Sequence, residues 1–247
     1  MSSCSHHHIE AALISLYTRL AEQPDADFGW NTGKANARQL GYSETWLDDL
    51  PDVVWESAAA VGNPFKLGDI KPGDVVLDVG CGAGADSCVA ALQAGDTGKV
   101  IGIDCTPAMI AKARKNAQQA GLENIRFQIA DFTKLPLDDA SIDVVISNGA
   151  INLALNKQIV FSELFRVLKP EGRLWFADMI RVVADETGCV TGDNAATWAN
   201  CVQGTLSAEQ LLEVITHAGF MQAVFVELTG YKTSKTTNGA LFKALRP

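Results

Sequence analysis

An acidic residue and three glycines lie close together in the segment DVGCGAG, residues 78–84. A short apolar run ends in this segment and a helical pattern follows it, so glycine permits a sharp turn between strand and helix. At Gly80, Gly82 and Gly84 the missing side chains let the backbone approach a ligand at the carboxyl end of the strand. The segment therefore predicts a nucleotide-type binding site, although Gly80, Gly82 and Ala85 also satisfy the dinucleotide pattern G-x-G-x-x-A of NAD-dependent dehydrogenases.

Further acidic residues end the next two predicted strands. Asp104 lies 20 residues beyond Gly84, where a carboxylate can accept both hydroxyls of a ribose, as it does in NAD enzymes too. Asp131 is followed by Phe132, so a carboxylate and an aromatic ring are available for the amino group and the face of an adenine. An ordinary surface acid is the alternative for Asp131 alone. Acids at successive strand ends predict a ligand that lies across the point where the strand order reverses.

Short β-branched runs and helical segments alternate from Lys71 onward, and this alternation would position those acids. Strands are predicted at 75–79, 100–104, 125–130, 142–148 and 173–179. Helical segments are predicted between them, at 86–94, 107–121 and 158–172. The pattern predicts an α/β fold with a Rossmann-like, doubly wound and mostly parallel sheet. After an interruption at 183–205, a helix at 207–218 and strands at 223–228 and 240–245 are expected, the last strand antiparallel at the sheet edge.

The first 65 residues differ in pattern from the rest. Ile9, Leu13, Leu16 and Leu20 recur at helical spacing before Pro24, which predicts an amphipathic helix. We expect an N-terminal helical lid over residues 1–65 and one domain over residues 66–247. A tract of Cys4 and His6–His8 is able to bind metal in principle, but a frayed tail is the favoured interpretation, and no metal is predicted.

Composition restricts the kinds of partner. Hydrophobic residues make up 47% of the chain, which suits a packed core, and the net charge of -9 disfavours a surface that neutralises phosphates. We therefore predict a small-molecule acceptor and no nucleic acid. No apolar run approaches the ~20 residues of a membrane span, and no signal peptide is recognisable, so no membrane association and a cytoplasmic location are expected. The oligomeric state is left open.

Several segments resemble the successive motifs of class I S-adenosylmethionine (SAM)-dependent methyltransferases: DVGCGAG, the acid Asp104, IADFTKLPL and LKPEGRLWFADM, within residues 70 to 180. The resemblance implies SAM as cofactor and S-adenosylhomocysteine as product. It implies that the glycines line the methionine and ribose, Asp104 holds the ribose diol, Asp131 with Phe132 binds adenine, and Asp78 lies near the methionine amine. The predicted cofactor set is Asp78, Gly80, Gly82, Gly84, Asp104, Cys105, Asp131, Phe132 and Asn148.

A narrower resemblance reaches from about Asn36 onward. The segments NARQLGYS, GNPF, ISNGAINL, CVQGTLSAEQ and GYKTSKTTNGALF are similar to parts of the arsenite methyltransferase family. That family binds trivalent arsenic through cysteine thiolates, which suit a soft centre. Val61 and Gly149 stand where the family has cysteine, and only Cys201 matches, with Cys189 as a conceivable second ligand. The leading hypothesis is therefore methylation of nitrogen or sulfur in a small metabolite, and arsenite methylation is the alternative.

The acceptor pocket is expected in the lid and in the loops after the predicted strands. Asn148 and Asn152 flank Gly149 directly after the fourth strand, and a carboxylate such as Glu56 could orient an amine or take its proton. A thiol would need little help from a base. Asn152 and Glu56 are the predicted catalytic residues, and the predicted acceptor-binding residues are Trp30, Asn63, Gly149, Trp198, Asn200 and Cys201. An inactive SAM-binding regulator is the alternative of another class.

Overall fold

A computed structural model describes residues 3–182 and 204–247, with side chains from His8 onward. The described α-helices are α1 Ser3–Glu22, α2 Gly33–Gln39, α3 Glu44–Asp49, α4 Asp52–Trp55, α5 Ala85–Ala94, α6 Pro107–Gln119, α7 Lys157–Val167 and α8 Ala208–His217. The strands are β1 Val75–Val79, β2 Lys99–Asp104, β3 Ile125–Ile129, β4 Ile142–Asn148, β5 Leu168–Arg181, β6 Met221–Leu228 and β7 Thr237–Leu245. Short 3-10 helices occur at Pro64–Leu67 and Ile151–Leu153.

The strands form one sheet in the order β3-β2-β1-β4-β5-β7-β6. Strand β1 lies between β2 and β4 and is parallel to both, whereas β7 is antiparallel to β5 and to β6. The chain moves outward from β1 in one direction and then continues from β4 in the other, so the strand order reverses between β1 and β4. The predicted α/β class with a doubly wound, mostly parallel sheet is confirmed. The last strand is antiparallel as expected, but it lies between β5 and β6, so β6 forms the sheet edge in its place.

Both faces of the central sheet are buried, which explains why the strands are continuous apolar runs. Val76 and Val100 point into one apolar cluster, together with side chains of α5 and α6. Leu77 and Ile103 point into the other, where α7 and α8 pack. Because successive side chains of a strand alternate between the faces, a sheet covered on both sides needs apolar residues at nearly every position.

Some element boundaries differ from those predicted. Helix α7 ends at Val167, before the expected stop at 172, because a proline at 170 disfavours helical geometry in the residue before it. Strand β5 begins at Leu168, which pairs with Ile142 ahead of an irregularity in the register. The expected start at 173 was wrong because turn-forming residues hid this pairing. The capping box at Ser207 is present as predicted, and α8 begins at the next residue.

The N-terminal segment contributes to the same core as the sheet. Leu47, Val54 and Trp55 are buried in the apolar cluster that contains Val76. Helix α1 begins at Ser3, several residues earlier than expected, and packs along α6. The domain boundary near residue 65 stays a prediction. Within residues 3–182 and 204–247, no helix has both the length and the apolar character required to cross a membrane.

Candidate cofactor and acceptor site

A cleft opens at the carboxyl ends of β1, β2 and β4, next to the point where the strand order reverses. Its empty volume is about 960 Å³ when its open mouth is included. Helix α1 contributes Leu13, Tyr17 and Leu20 to the wall. The cleft therefore lies where parallel α/β sheets bind ligands, with the N-terminal helix beside it.

The turn between β1 and α5 needs glycine for two different reasons. Gly80 has φ +70°, and a Cβ atom there would lie 2.2 Å from the Cβ of Ala150 in the loop after β4. The two loops can therefore meet at the base of the cleft only if residue 80 has no side chain. At Gly84 a Cβ would lie 2.9 Å from the ring of Phe127. Gly84 packs against Phe127 and does not line the cleft, and its contact with the cofactor stays a prediction.

Asp104 at the end of β2 faces the cleft. Its two carboxylate oxygens accept the N–H of Thr106 at 2.8 Å and the N–H of Gly82 at 3.0 Å. Burial raises the pKa of the carboxyl, and those two N–H groups oppose the shift. Each oxygen keeps a further lone pair, so the side chain is held in place and still able to accept a pair of hydroxyls.

Two more carboxylates lie beside the glycine turn. Asp78 is 1% exposed and accepts the hydroxyl of Ser87 at 2.6 Å. Burial, and then the negative charge of Asp86, raise its pKa to about 8. A cationic group bound in the cleft would favour the ionised form of Asp78 and lower this pKa. The pair therefore suits the ammonium of an amino-acid ligand.

Asp86 belongs to a hydrogen-bond network that joins three parts of the chain. The hydroxyl of Tyr42 donates to its Oδ1 at 2.6 Å, and the amide of Asn148 donates to its Oδ2 at 2.9 Å. Asn148 also accepts the N–H of Val61 at 2.9 Å and donates to the carbonyl of Gly62 at 2.9 Å. The network fastens the N-terminal segment to the ends of α5 and β4. Burial raises the pKa of Asp86.

The structure brings part of the predicted set together. The cleft is lined by Asp78, Gly80, Gly82, Asp104, Cys105, Phe132, Asn148 and Gly149. The predicted residues that do not line it are Trp30, Glu56, Asn63, Gly84, Asp131 and Asn152. The remaining candidates, Trp198, Asn200 and Cys201, and with them Cys189, lie outside the described residues.

Local partners explain why several candidates lie elsewhere. The carboxylate of Glu56 is 3.3 Å from Nζ of Lys112 and largely exposed. Asn63 caps the first 3-10 helix by accepting the N–H of Phe65 at 3.0 Å. Asp131 accepts the N–H of Thr133 at 2.8 Å. Trp30 packs 5.6 Å from the ring of Phe28. Caps, ion pairs and packing hold these side chains. Glu56 does not line the cleft, and its predicted catalytic role stays a prediction.

Asn152 has an unusual environment. Its side chain is 2% exposed, and both polar atoms of its amide lack a hydrogen-bond partner. Its backbone is held, because its N–H donates to Asp178 at 2.8 Å and its carbonyl accepts from Nζ of Lys157 at 3.0 Å. Its neighbour Leu153 lines the cleft, but Asn152 does not. Its predicted catalytic role stays a prediction.

The wall near the end of β4 is apolar and closely packed. Gly149 has φ +69°, and a Cβ there would lie 3.2 Å from Cγ1 of Val61. The two positions at which the arsenite family resemblance implies cysteine are thus neighbours, and they hold a hydrogen atom and an isopropyl group. Alanines at 58, 59, 60 and 150 continue this wall.

Burial raises the pKa of three described cysteines, Cys81, Cys88 and Cys105. Burial and the negative charges of Asp78 and Asp104 raise the pKa of Cys81 well above its ordinary value. Burial likewise raises the pKa of Cys105 to about 11 and that of Cys88 to about 12. Thiolates are the form that binds soft metals, and the raised pKa values disfavour that form in these three cysteines.

Sequence reasoning missed Asp86 and Tyr42. Asp86 occupies the first turn of α5, where an acidic residue is favoured by the helix dipole alone, so the sequence offers no reason to single it out. Tyr42 is 44 residues from Asp86, and no local motif connects them. Their position in the network depends on how the N-terminal segment folds over the sheet.

The class I methyltransferase fold is defined by the sheet order, the glycine turn after β1 and the acid at the end of β2. The polar groups of the cleft suit SAM. A family model described as a methyltransferase domain matches residues 70–219, and the chain belongs to this family of SAM-dependent enzymes. The alternative of an NAD-dependent dehydrogenase is thereby excluded. SAM, predicted from the sequence, is the cofactor of the family.

Individual relatives of the chain include arsenite methyltransferases. The chain is 37% identical over 191 residues to an arsenite methyltransferase of Halobacterium salinarum, covering 76% of this chain and 48% of that protein. An arsenite methyltransferase of Aquipseudomonas alcaligenes is 35% identical, covering 74% and 55%. A solved arsenic(III) SAM methyltransferase from Chlamydomonas reinhardtii superimposes with a TM-score of 0.62 at 24% identity, covering 88% and 74%. The chain thus spans about half the length of these two curated relatives.

Proposed function

We propose that this protein transfers the methyl group of SAM to a nitrogen or sulfur atom of a small organic molecule. When bound, SAM supplies an electrophilic methyl group on a sulfonium. The observation that carries the proposal is the single cleft in which Asp78, Asp104 and Phe132 lie beside an apolar wall. Cofactor-binding groups and a space for an acceptor are thereby adjacent, as transfer between two bound molecules requires.

Different residues of the cleft bind different parts of the cofactor. Asp104 accepts the ribose hydroxyls, and Gly80 and Gly82 let the backbone approach the methionine and ribose. Asp78 receives the ammonium, and the ring of Phe132 covers the adenine. Asn148 holds Asp86 and the residues around Val61 in place, so it orients the acceptor side of the cleft. Helix α1 and the apolar wall exclude water, which suppresses hydrolysis.

Arsenite is the second candidate acceptor, favoured by the names of the relatives that the chain resembles. Two observations disfavour arsenite as the acceptor. The neighbours Val61 and Gly149 offer no thiol, and the pKa values of Cys81 and Cys105 are raised. Trivalent arsenic prefers several thiolates. Of the three cysteines other than Cys81, Cys88 and Cys105, Cys189 and Cys201 lie outside the described residues, and Cys4 belongs to the N-terminal tract whose side chains are not described. An organic acceptor is therefore the better-supported proposal.

We expect no methylarsenic product when the protein is incubated with SAM, arsenite and a reducing thiol. With an organic acceptor, Cys201→Ser should change the rate about tenfold or less, or ~1.4 kcal/mol of barrier, because a small thiol then acts only as an apolar wall group. Mass spectrometry of the products checks both statements. Cys88→Ala, which removes a buried thiol outside the cleft, is the control. Methylarsenic products that disappear in Cys201→Ser would instead establish arsenite methylation.

A further inference from the structure

The charged side chains that line the cleft are carboxylates. Asp78, Asp86 and Asp104 face it, and no lysine or arginine among the described residues does. The described lining of the cleft thus offers no lysine or arginine that could neutralise an acceptor carrying a carboxylate, a phosphate or a thiolate.

These carboxylates are fixed in position. Tyr42 and Asn148 hold Asp86 through contacts of 2.6 and 2.9 Å. Backbone N–H groups hold Asp104 at 2.8 and 3.0 Å. Fixed charges in a partly buried cleft act more strongly on a ligand than the same charges in water, since little reorganisation is needed when charge moves nearby.

The acceptor wall complements this charge pattern. Ala58, Ala59, Ala60, Ala150 and Leu153 line it with side chains that neither donate nor accept hydrogen bonds. An acceptor that packs there has an apolar body, because a polar body would leave hydrogen-bonding groups without partners, at a cost in binding free energy. Asp78 and Asp104 are assigned to the cofactor above, so Asp86 is the cleft-lining carboxylate that remains to act on the acceptor.

The movement of charge during transfer distinguishes the possible nucleophiles. An uncharged nitrogen uses its lone pair to form the new N–C bond while the S–C bond breaks and its electron pair stays on sulfur. The positive charge passes to nitrogen and remains beside the carboxylates. A thiolate would cancel that charge, and the negative charge of Asp86 would repel its approach. Fixed negative charge therefore favours the nitrogen nucleophile.

We propose that the acceptor is an uncharged tertiary amine or imidazole nitrogen on a small apolar body, and that the product is a cation. Within this proposal Asp86 is a specificity-determining residue, because its fixed negative charge disfavours thiolates and other anions. The inference rests on the methyl transfer proposed above and selects nitrogen from the two acceptor atoms left open there.

Binding gives a test that does not depend on turnover. Calorimetry on protein saturated with S-adenosylhomocysteine should show that 1-butyl-3-methylimidazolium, a cation, binds about tenfold or more tightly than the anion 3-(imidazol-1-yl)propanoate. Asp86→Asn keeps an oxygen for the Tyr42 hydroxyl and removes the charge, and it should reduce this ratio about threefold or more. Asp138→Asn makes the same charge change on an exposed loop and should leave the ratio unchanged.

Measurement of turnover gives a second test of the inference. With methyl-labelled SAM we expect 1-butylimidazole to be methylated with a kcat/KM about tenfold or more above that of 1-butanethiol. Three results would overturn the inference and leave the proposed methyl transfer intact. The first is methylation of the thiol as well as the imidazole or better, and the second is tighter binding of the anion than of the cation. The third result is that protein which binds S-adenosylhomocysteine fails to methylate 1-butylimidazole. Failure of the unmodified protein to bind S-adenosylhomocysteine would instead count against the proposed function itself.

Discussion

Replacing Asp104 by alanine should weaken SAM binding about ten- to hundredfold, or ~1.5–3 kcal/mol, because hydrogen bonds to a charged acceptor are lost. The side chain faces the cleft and also supports its edge by accepting the N–H groups of Gly82 and Thr106. Calorimetric titration of the purified variant with SAM measures the change. Asp104→Asn, which keeps one acceptor oxygen, should fall between the wild type and the alanine variant.

Asp131 provides the contrast for this experiment. Sequence reasoning assigned it to adenine, but its carboxylate accepts the N–H of Thr133 and does not line the cleft. Asp131→Ala should therefore weaken SAM binding by less than about threefold. Unchanged binding in Asp104→Ala, or equal losses in the two variants, would contradict the assignment of Asp104 to the ribose.

Replacing Gly80 by alanine should lower the free energy of unfolding by about 2–5 kcal/mol. A positive φ costs an L-residue roughly 1–2 kcal/mol, and an added methyl group in a packed region costs roughly 1–3 kcal/mol. Both apply here, because Gly80 has φ +70° and its Cβ would lie 2.2 Å from that of Ala150. Urea unfolding without ligand, followed by circular dichroism, measures the loss.

Gly82 separates the two causes. It also has a positive φ, of +50°, but an added Cβ would meet nothing closer than the sulfur of Met109 at 4.0 Å. Gly82→Ala should therefore show only the backbone cost of about 1–2 kcal/mol. Equal losses in the two variants would mean that the loop after β4 accommodates a methyl group at residue 80 without cost, contrary to the close approach of Ala150.

Much of the fold could be predicted because the local sequence pattern of each strand agrees with its place in the sheet. The runs at Val75–Val79 and Ile142–Asn148 are apolar at nearly every position, as a strand buried on both faces must be. The boundaries of β5 could not be predicted. Its first residues include Pro170 and Glu171, the latter with φ +63°, and local preference there favours a turn. Pairing of Leu168 with Ile142 overrides this preference, and such pairing is not visible in the segment itself.

The candidate site was predictable to the extent that its residues follow strands. Asp78, Asp104 and Asn148 end β1, β2 and β4, and parallel strands bring their carboxyl ends to one edge of the sheet. Residues chosen from loops and helix ends, such as Glu56 and Asn63, form an ion pair or a cap instead. A loop position gives no direction for the side chain, so chemical type alone does not place it in the cleft.

The network around Asp86 could not be predicted from the sequence for a different reason. Asn148 and Tyr42 are 106 residues apart, and their contact at 3.0 Å arises only when the N-terminal segment lies over the end of β4. Neither hydrophobic periodicity nor motif spacing encodes that approach. The acceptor side of the cleft depends on this segment, and for that reason the cofactor was easier to predict than the acceptor.

The most direct test of methyl transfer is incubation of the protein with methyl-labelled SAM and a fractionated metabolite extract, followed by mass identification of labelled products. The proposal predicts a labelled small molecule that is heavier than its precursor by one methyl substitution, formed together with an equal amount of S-adenosylhomocysteine. It predicts much less product with Asp104→Ala at limiting SAM. Binding of SAM without labelling of any fraction would contradict the proposal and indicate a SAM-binding regulator.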